Sequence, residues 1–541
     1  MKEDVIMQVN LLALQITPTA AIAVPMLICF FALMLGVGFA CRKHAASVDS
    51  FVLGGRSVGP WLTAFAFGTS YFSAVIFVGY AGQFGWNFGL SSTWIGLGNA
   101  FIGSLLAWTV LGRRTRVMTQ HLESKTMPDF FEKRYDSKNL KIVASVIVFV
   151  FLIPYTASLY NGLSSLFNNV FAIPYWAVVL IMAVLTGVYV IFGGYMATAI
   201  NDFIQGIIML VGIVAVVIAV LAKNGGFTQA VAALTEKAGS EYTSMFGPNP
   251  IFILFVVLLT SLGTWGLPQM VGKFYSIKDE GSIKKGTIIS TIFAIVVAGG
   301  CYFLGGFGRL YEKEMTAAGY INGGKVLFDK VVPTMLSNLA PVIVALIIVL
   351  VLAASMSTLS SLVLTSASTL TLDVIKPAYE KNKKMSDKKS VLTMRGFIIF
   401  FIAVSAIIAI LKDSIWSNSV FIAQMMGVSW GALAGAFLAP FLYGLYFKKT
   451  TKAAVVVSFI FGTGLELIQL CISVGWLKIS GGVLGFIFTN SLYSGVFAIV
   501  GGLILVPVVS AFTQKTLPSK LEEKFSCYEE TIVTNKKDSL G

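Results

Sequence analysis

Residues 59–82 read GPWLTAFAFGTSYFSAVIFVGYAG. A helix crosses about 30 Å of hydrocarbon with roughly 20 apolar residues, and this stretch is long and apolar enough to do so. Its middle, however, holds Gly68, Thr69, Ser70, Tyr71 and Ser73. Polar clusters inside a membrane are costly and point to function by default. Two readings fit these residues. Small and hydroxyl residues beside a glycine suit a helix that unwinds and frees carbonyl oxygens for a cation. The same residues also let two helices pack closely.

The rest of the chain has the same character. Of 541 residues, 56% are apolar and 12% charged; a soluble domain carries about 25% charged residues. So few charges cannot cover the three or four soluble domains that the length alone suggests, and the hydropathy excludes disorder. Thirteen candidate spans follow, near 22–41, 59–83, 92–112, 142–165, 175–192, 201–222, 251–271, 286–308, 338–372, 396–411, 418–446, 453–475 and 488–510. Runs such as 207-IIMLVGIVAVVIAVLA-222 do not alternate, so helices are expected rather than barrel strands. An acidic flank and a following Arg42-Lys43 pair make the first span a retained helix, not a signal peptide.

The net charge is +14. With the N-terminus outside, about 30 of the 39 Lys and Arg fall on the inner side. The excess therefore records orientation and gives no support to a nucleic-acid partner. The expected home is the cell (inner) membrane, with the C-terminus cytoplasmic. The organisation read from the sequence has four parts: 1–58, the N-terminus, leading helix and first inner loop; 59–450, the core of spans; 451–510, two trailing helices; and 511–541, a polar cytoplasmic tail. Outer stretches 223–250 and 309–337 are long enough for short surface helices. The five cysteines lack metal spacing, and His44 and His121 fall in loops, so no cofactor, disulfide framework or zinc site is expected. Gly319 to Lys325 has phosphate-loop spacing, but Val326 stands where a Ser or Thr must hold magnesium.

Three further regions carry polarity. In 353-AASMSTLSSLVLTSAS-368, Ser357, Ser360 and Ser361 share a helix face, with Thr358 on the adjacent stripe. These hydroxyls read either as neutral cation ligands or as bonds back to their own helix. Asp202, after Asn201, reads as a functional carboxylate or as a helix N-cap. Gly263, Gly266 and Pro268 interrupt the seventh span. Interrupted second and seventh spans are five apart, the offset of two inverted five-helix repeats.

At these residues the chain resembles the sodium:solute symporter family. The resemblance runs over about 45–510. It includes 51-FVLGGRSVGPWLTA-64, Thr126 to Tyr135 (TMPDFFEKRY), Gly193-Gly194-Tyr195 with Asn201 to Gly206, Met356 to Ser361, and Ala439 to Thr451. It implies an all-α polytopic membrane protein with a LeuT-type fold: two inverted five-helix repeats, one leading helix and two trailing ones. It also implies a main sodium site from the backbone carbonyls of Thr69, Phe72 and Ala354 with the hydroxyls of Ser357 and Thr358. A second sodium site is implied at Asp202, Ser360 and Ser361, with Ser357 shared. At position 71, where proline symporters carry Asp and sugar transporters an amide, this chain has Tyr71. That argues against proline as the solute and equally against carrying over a sugar. Around Tyr71 the candidate solute contacts are Phe72, Ser73, Tyr155, Thr156, Thr264, Trp265, Gln269 and Gln424. No Lys or Arg inside the spans, loop ends apart, offers a partner to a solute carboxylate, while a backbone helix end can bind one, so an organic anion stays open.

The expected function is sodium-coupled symport of a small organic solute by alternating access, with no enzymatic activity and no obligate protein partner. A proton-coupled carrier using Asp202 is the alternative within transport. A solute sensor on the same scaffold is disfavoured by a tail too short for a signalling domain. An intramembrane enzyme lacks a catalytic constellation.

Overall fold

The computed structural model describes residues 17–171, 173–337, 339–381, 383–415 and 421–529. The expected outer N-terminal segment before residue 17 and the end of the tail after 529 lie outside the described residues. What is described is almost entirely helical. The exception is a hairpin pairing Ile321–Asn322 with Lys325–Val326. Its turn places Gly323 and Gly324 at φ of 55° and 79°. The glycines that mimicked a phosphate loop thus serve a tight turn.

Among the described residues, ten helices are long and apolar enough to cross a membrane, or eleven if one bent pair is a single span. The sequence count of thirteen divides two long helical runs, Val75–His121 and Tyr175–Lys223, and the first of them breaks at Gly89, with φ 60° and ψ −140°. The second run is 49 residues long but breaks at Gly194, with φ 56° and ψ −147°. A Cβ there would lie 2.9 Å from the Phe51 ring in a conformation that L side chains avoid. This break falls between the fifth and sixth expected spans.

Packing sorts the helices into a centre and a rim. The Pro341–Thr369 helix is buried at every position from Ile347 to Leu364, as a helix apolar all round must be. The Tyr175–Lys223 helix exposes Leu180, Ile181, Val184, Val211, Val214 and Ile218 and so forms part of the rim. Against the centre lie the two interrupted spans. The Pro60–Tyr71 helix stops at Phe72, whose φ of −100° and ψ of 87° are not helical, and winding resumes from Val75. The other runs Pro250–Leu262, Gly263–Gly266 and then Pro268–Ser276, with a bend of 49°. Leu267 is extended (φ −83°, ψ 120°) and Pro268 opens the new helix, the first-turn position where proline costs no hydrogen bond. Both interruptions were expected from the sequence.

The inner loops are tied down by charge. Thr126 caps the Met127–Tyr135 helix and donates to Asp373 at 2.6 Å. Lys141 reaches Asp129 at 2.9 Å and Glu132 at 2.8 Å. Burial works against the Asp129 carboxylate, but Lys141 and Lys133 hold it below the usual range. The tail docks on this layer: Lys524 of the Leu521–Ser526 helix reaches Asp136 at 2.6 Å. In the two stretches expected to hold surface helices, Phe227–Ala238 and Glu312–Ala317 form on the surface, whereas Val331–Ser337 is buried from Val331 to Leu336.

Candidate functional site

Where the Pro60–Tyr71 helix unwinds, the backbone N–H of Phe72 makes a last helical bond to Gly68. The next carbonyl, Thr69, takes hydroxyls instead. Ser357 Oγ donates to it at 3.1 Å and Thr358 Oγ1 at 3.2 Å. Both hydroxyls also reach the Ala354 carbonyl at 3.2 Å. Four oxygens of the expected main sodium set, two carbonyls and two hydroxyls, are therefore gathered from two helices. All four residues are buried. The back-bonding expected as one reading of these hydroxyls is present at the Ala354 carbonyl, and the same hydroxyls also bridge to the other helix at Thr69. Phe72 lies at the unwound corner, stacked on Tyr71 with ring centroids 4.3 Å apart.

One turn further along the Pro341–Thr369 helix the chemistry changes. Ser361 Oγ shares a 2.8 Å hydrogen bond with Ser70 Oγ and accepts another from Lys273 Nζ at 2.9 Å. Lys273 also faces Asp202 Oδ2 at 3.5 Å. Both charged side chains are buried, at 4% and 0% exposure, so neither is screened by water. Asp202 sits inside the Tyr175–Lys223 helix, eight residues past its break, which removes the N-cap reading. Ser360 turns its hydroxyl onto the Ser357 carbonyl at 2.9 Å.

Lys273 lies two residues past 271, the expected end of the seventh span, where the sequence alone makes it a loop end. The signal was present: a proline at a helix start promises more helix, and Lys273 stands five residues into it. Lys273 thus corrects the expectation that the spans hold no lysine or arginine away from their loop ends. Lys273, Gln269 and Ser361 line a small cleft of about 50 Å³ that also takes in Lys125, Thr126 and Met127 of the inner loop.

The expected solute contacts divide into groups. Tyr71, Phe72 and Tyr155 converge with Trp430, which the sequence reading overlooked. Trp430 lies 6.1 Å from the Tyr71 ring and meets Tyr155 edge-on at 6.0 Å. An aromatic inside an apolar helix carries no sequence signal that separates a pocket wall from ordinary packing. Ser73 Oγ and Tyr155 OH beside this cluster are buried without a hydrogen-bond partner. Thr264 and Trp265 are instead engaged by the neighbouring segment, bonding the carbonyls of Gly103 and Ile102 at 3.3 and 3.1 Å. Thr156 bonds back to Leu152 at 2.8 Å. Gln269 has both amide atoms unpartnered and lines the inner cleft. Gln424 is half-buried, about 9 Å of helix rise from Trp430, outside the aromatic group.

Two interrupted helices, a buried hydroxyl face on a central helix and carbonyls freed at the unwound corner define a polytopic carrier of LeuT type. The chain belongs to the sodium:solute symporter family, whose model matches residues 51–462. It is 27% identical over 525 residues to a sodium/proline symporter of Staphylococcus aureus, covering 95% of each chain. It is 28% identical over 498 residues to sodium/proline symporter 2 of Staphylococcus saprophyticus, covering 91% of this chain and 92% of that one. Its fold matches the substrate-bound, outward-open structure of a Na+-coupled sialic acid symporter, with a TM-score of 0.71 at 16% identity over 91% of this chain and 98% of the other. It is thus a multi-pass membrane transporter that couples solute movement to sodium.

Proposed function

We propose that sodium binds at the Thr69, Phe72 and Ala354 carbonyls and the Ser357 and Thr358 hydroxyls, and that it drives inward uptake of a small organic solute held beside it. The observation that carries this is the convergence of both hydroxyls on the Thr69 and Ala354 carbonyls. Each hydroxyl donates across the gap between helices. When a cation arrives, the O–H turns aside and hydroxyl and carbonyl oxygens both present lone pairs to it. The ion then links the unwound corner of one repeat to the central helix of the other. Solute and sodium raise each other's affinity by the same factor.

The solute site sits on the other side of the corner, among Tyr71, Phe72, Tyr155 and Trp430, with Ser73 Oγ and Tyr155 OH free to bond it. Tyr71 in place of the proline symporters' Asp sets this wall apart, so proline is not carried over from the relatives. The wall suits a compact solute with an apolar face and one or two polar groups. The transport core spans 59–450, and the basic inner loops support an outside N-terminus.

The test has two parts. A thermal-shift screen of purified protein against amino acids, carboxylates, sugars and vitamins, with and without sodium, identifies a solute whose stabilisation requires sodium. Uptake of that solute into proteoliposomes is then followed under a sodium gradient with pH clamped. Uptake that ignores sodium overturns the reading.

A further inference from the structure

The second cation position is defined by Asp202 and Ser361, and a cation already stands in it. The Lys273 ammonium is within 2.9 Å of Ser361 Oγ and 3.5 Å of Asp202 Oδ2. Of the oxygens on Asp202, Ser360 and Ser361, Ser360 Oγ is turned onto its own helix and Ser361 Oγ is engaged by Lys273 and Ser70. Asp202 Oδ1 alone lacks a partner, and one oxygen does not replace a cation's water. An ammonium and a sodium ion carry the same charge and seek the same oxygens, so two cannot share this space without repulsion at short range.

We propose that Lys273 is a tethered replacement for a second sodium ion, and that this transporter therefore binds and moves one sodium per cycle. This rests on the main-site reading above. Lys273 comes from the restarted half of the broken Pro250–Ser276 span, Asp202 from the Tyr175–Lys223 helix and Ser361 from the central helix. The lysine ties these three together without drawing on an ion gradient. Being part of the chain, it adds no net charge to the transported load, and the electrical drive is that of one ion rather than two.

The experiment is equilibrium binding of radioactive sodium to the purified full chain, with no solute required. The wild type is expected to bind one ion per chain with a Hill coefficient of one, and Thr358→Val to lose it. Lys273→Met vacates the position beside an unpaired carboxylate, and bound sodium is expected to double. Adding Asp202→Asn returns it to one. Lys273→Gln, which keeps a polar side chain of similar length, serves where Lys273→Met does not fold. Two ions in the wild type, or one ion in a folded variant lacking the lysine charge, overturns the tethered-cation proposal while leaving the main site standing. A wild type that binds no sodium overturns the main site and this proposal together.

Discussion

The two cation positions proposed above lie one turn apart on the central Pro341–Thr369 helix, and they are built from opposite materials. Around Ser357 and Thr358 there are only neutral oxygens. Around Ser361 there are two formal charges, Asp202 and Lys273. The difference follows from what each position tolerates when no mobile ion is present. Hydroxyls and carbonyls satisfy one another by hydrogen bonds and wait at little cost. A buried carboxylate cannot wait: taking it out of water costs several kcal/mol unless an opposite charge is always at hand. A position that loads and unloads in every cycle is therefore made of dipoles, and one that carries a fixed charge is closed by a fixed partner.

The largest effect that can break this contrast comes from removing one charge. Asp202→Asn leaves a buried ammonium without its counter-charge, a loss of about 3–5 kcal/mol where such pairs are broken. Thermal unfolding in detergent should show a marked fall in midpoint. Asp202→Asn combined with Lys273→Met removes both charges and should recover much of it. A double variant as unstable as the single one would mean that the pair is not what holds this region.

The neutral position should respond in affinity rather than stability. Ser357→Ala and Thr358→Val each remove one ligand oxygen, and each should raise the sodium concentration for half-maximal uptake about tenfold, or 1.4 kcal/mol. Thr358→Ser keeps the oxygen and should stay near the wild type. Unchanged sodium dependence in both deletion variants would remove the assignment.

How far the two positions were legible in the sequence follows from the same distinction. Four hydroxyls in five residues of an apolar helix are rare enough to announce the neutral position, and the glycine and hydroxyl cluster at 68–73 announced the unwound corner. Asp202 stood out as a lone acid beside a long apolar run. Its partner did not, because a lysine near the end of a span reads as a loop residue unless the restart at Pro268 is taken as a new helix. Side chains brought together from positions 202, 273 and 361 have no local signature at all; only the bend between Leu262 and Pro268 aims Lys273 inward. The solute wall was partly legible for a similar reason: Tyr71 and Tyr155 carry a hydroxyl that draws notice, whereas Trp430 looks like any packed aromatic.

A smaller effect sharpens the charged position. Ser361 Oγ receives Lys273 and bonds Ser70, so Ser361→Ala removes two hydrogen bonds but leaves the ion pair. A loss of about 1–3 kcal/mol is expected, below that of Asp202→Asn, with half-saturating sodium changed little. A tenfold change in sodium dependence would show that Ser361 belongs to the loading position after all.

The smallest effect tests whether the neutral position depends on the spacing of its two helices. Gly206 lies one turn past Asp202 on the Tyr175–Lys223 helix, and a Cβ there would come within 2.4 Å of the Phe65 ring and 3.0 Å of Thr69 Cγ2. Gly206→Ala must push the Pro60–Tyr71 helix outward, and Thr69 carries the carbonyl that both hydroxyls address. Half-saturating sodium should rise about two- to fivefold, roughly 0.4–1 kcal/mol, although no ligand has changed. Gly212→Ala on the same helix is the control. Its Cβ would meet Leu350 at Cδ1 (2.3 Å), Cγ (3.2 Å) and Cβ (3.3 Å), a clash with the central helix about 10 Å of helix rise before Ser357, so stability should fall while sodium dependence holds. If Gly206→Ala also leaves it unchanged, the corner is soft enough to re-form around its ion, and the geometry at Thr69 is set by the hydroxyls rather than by helix packing.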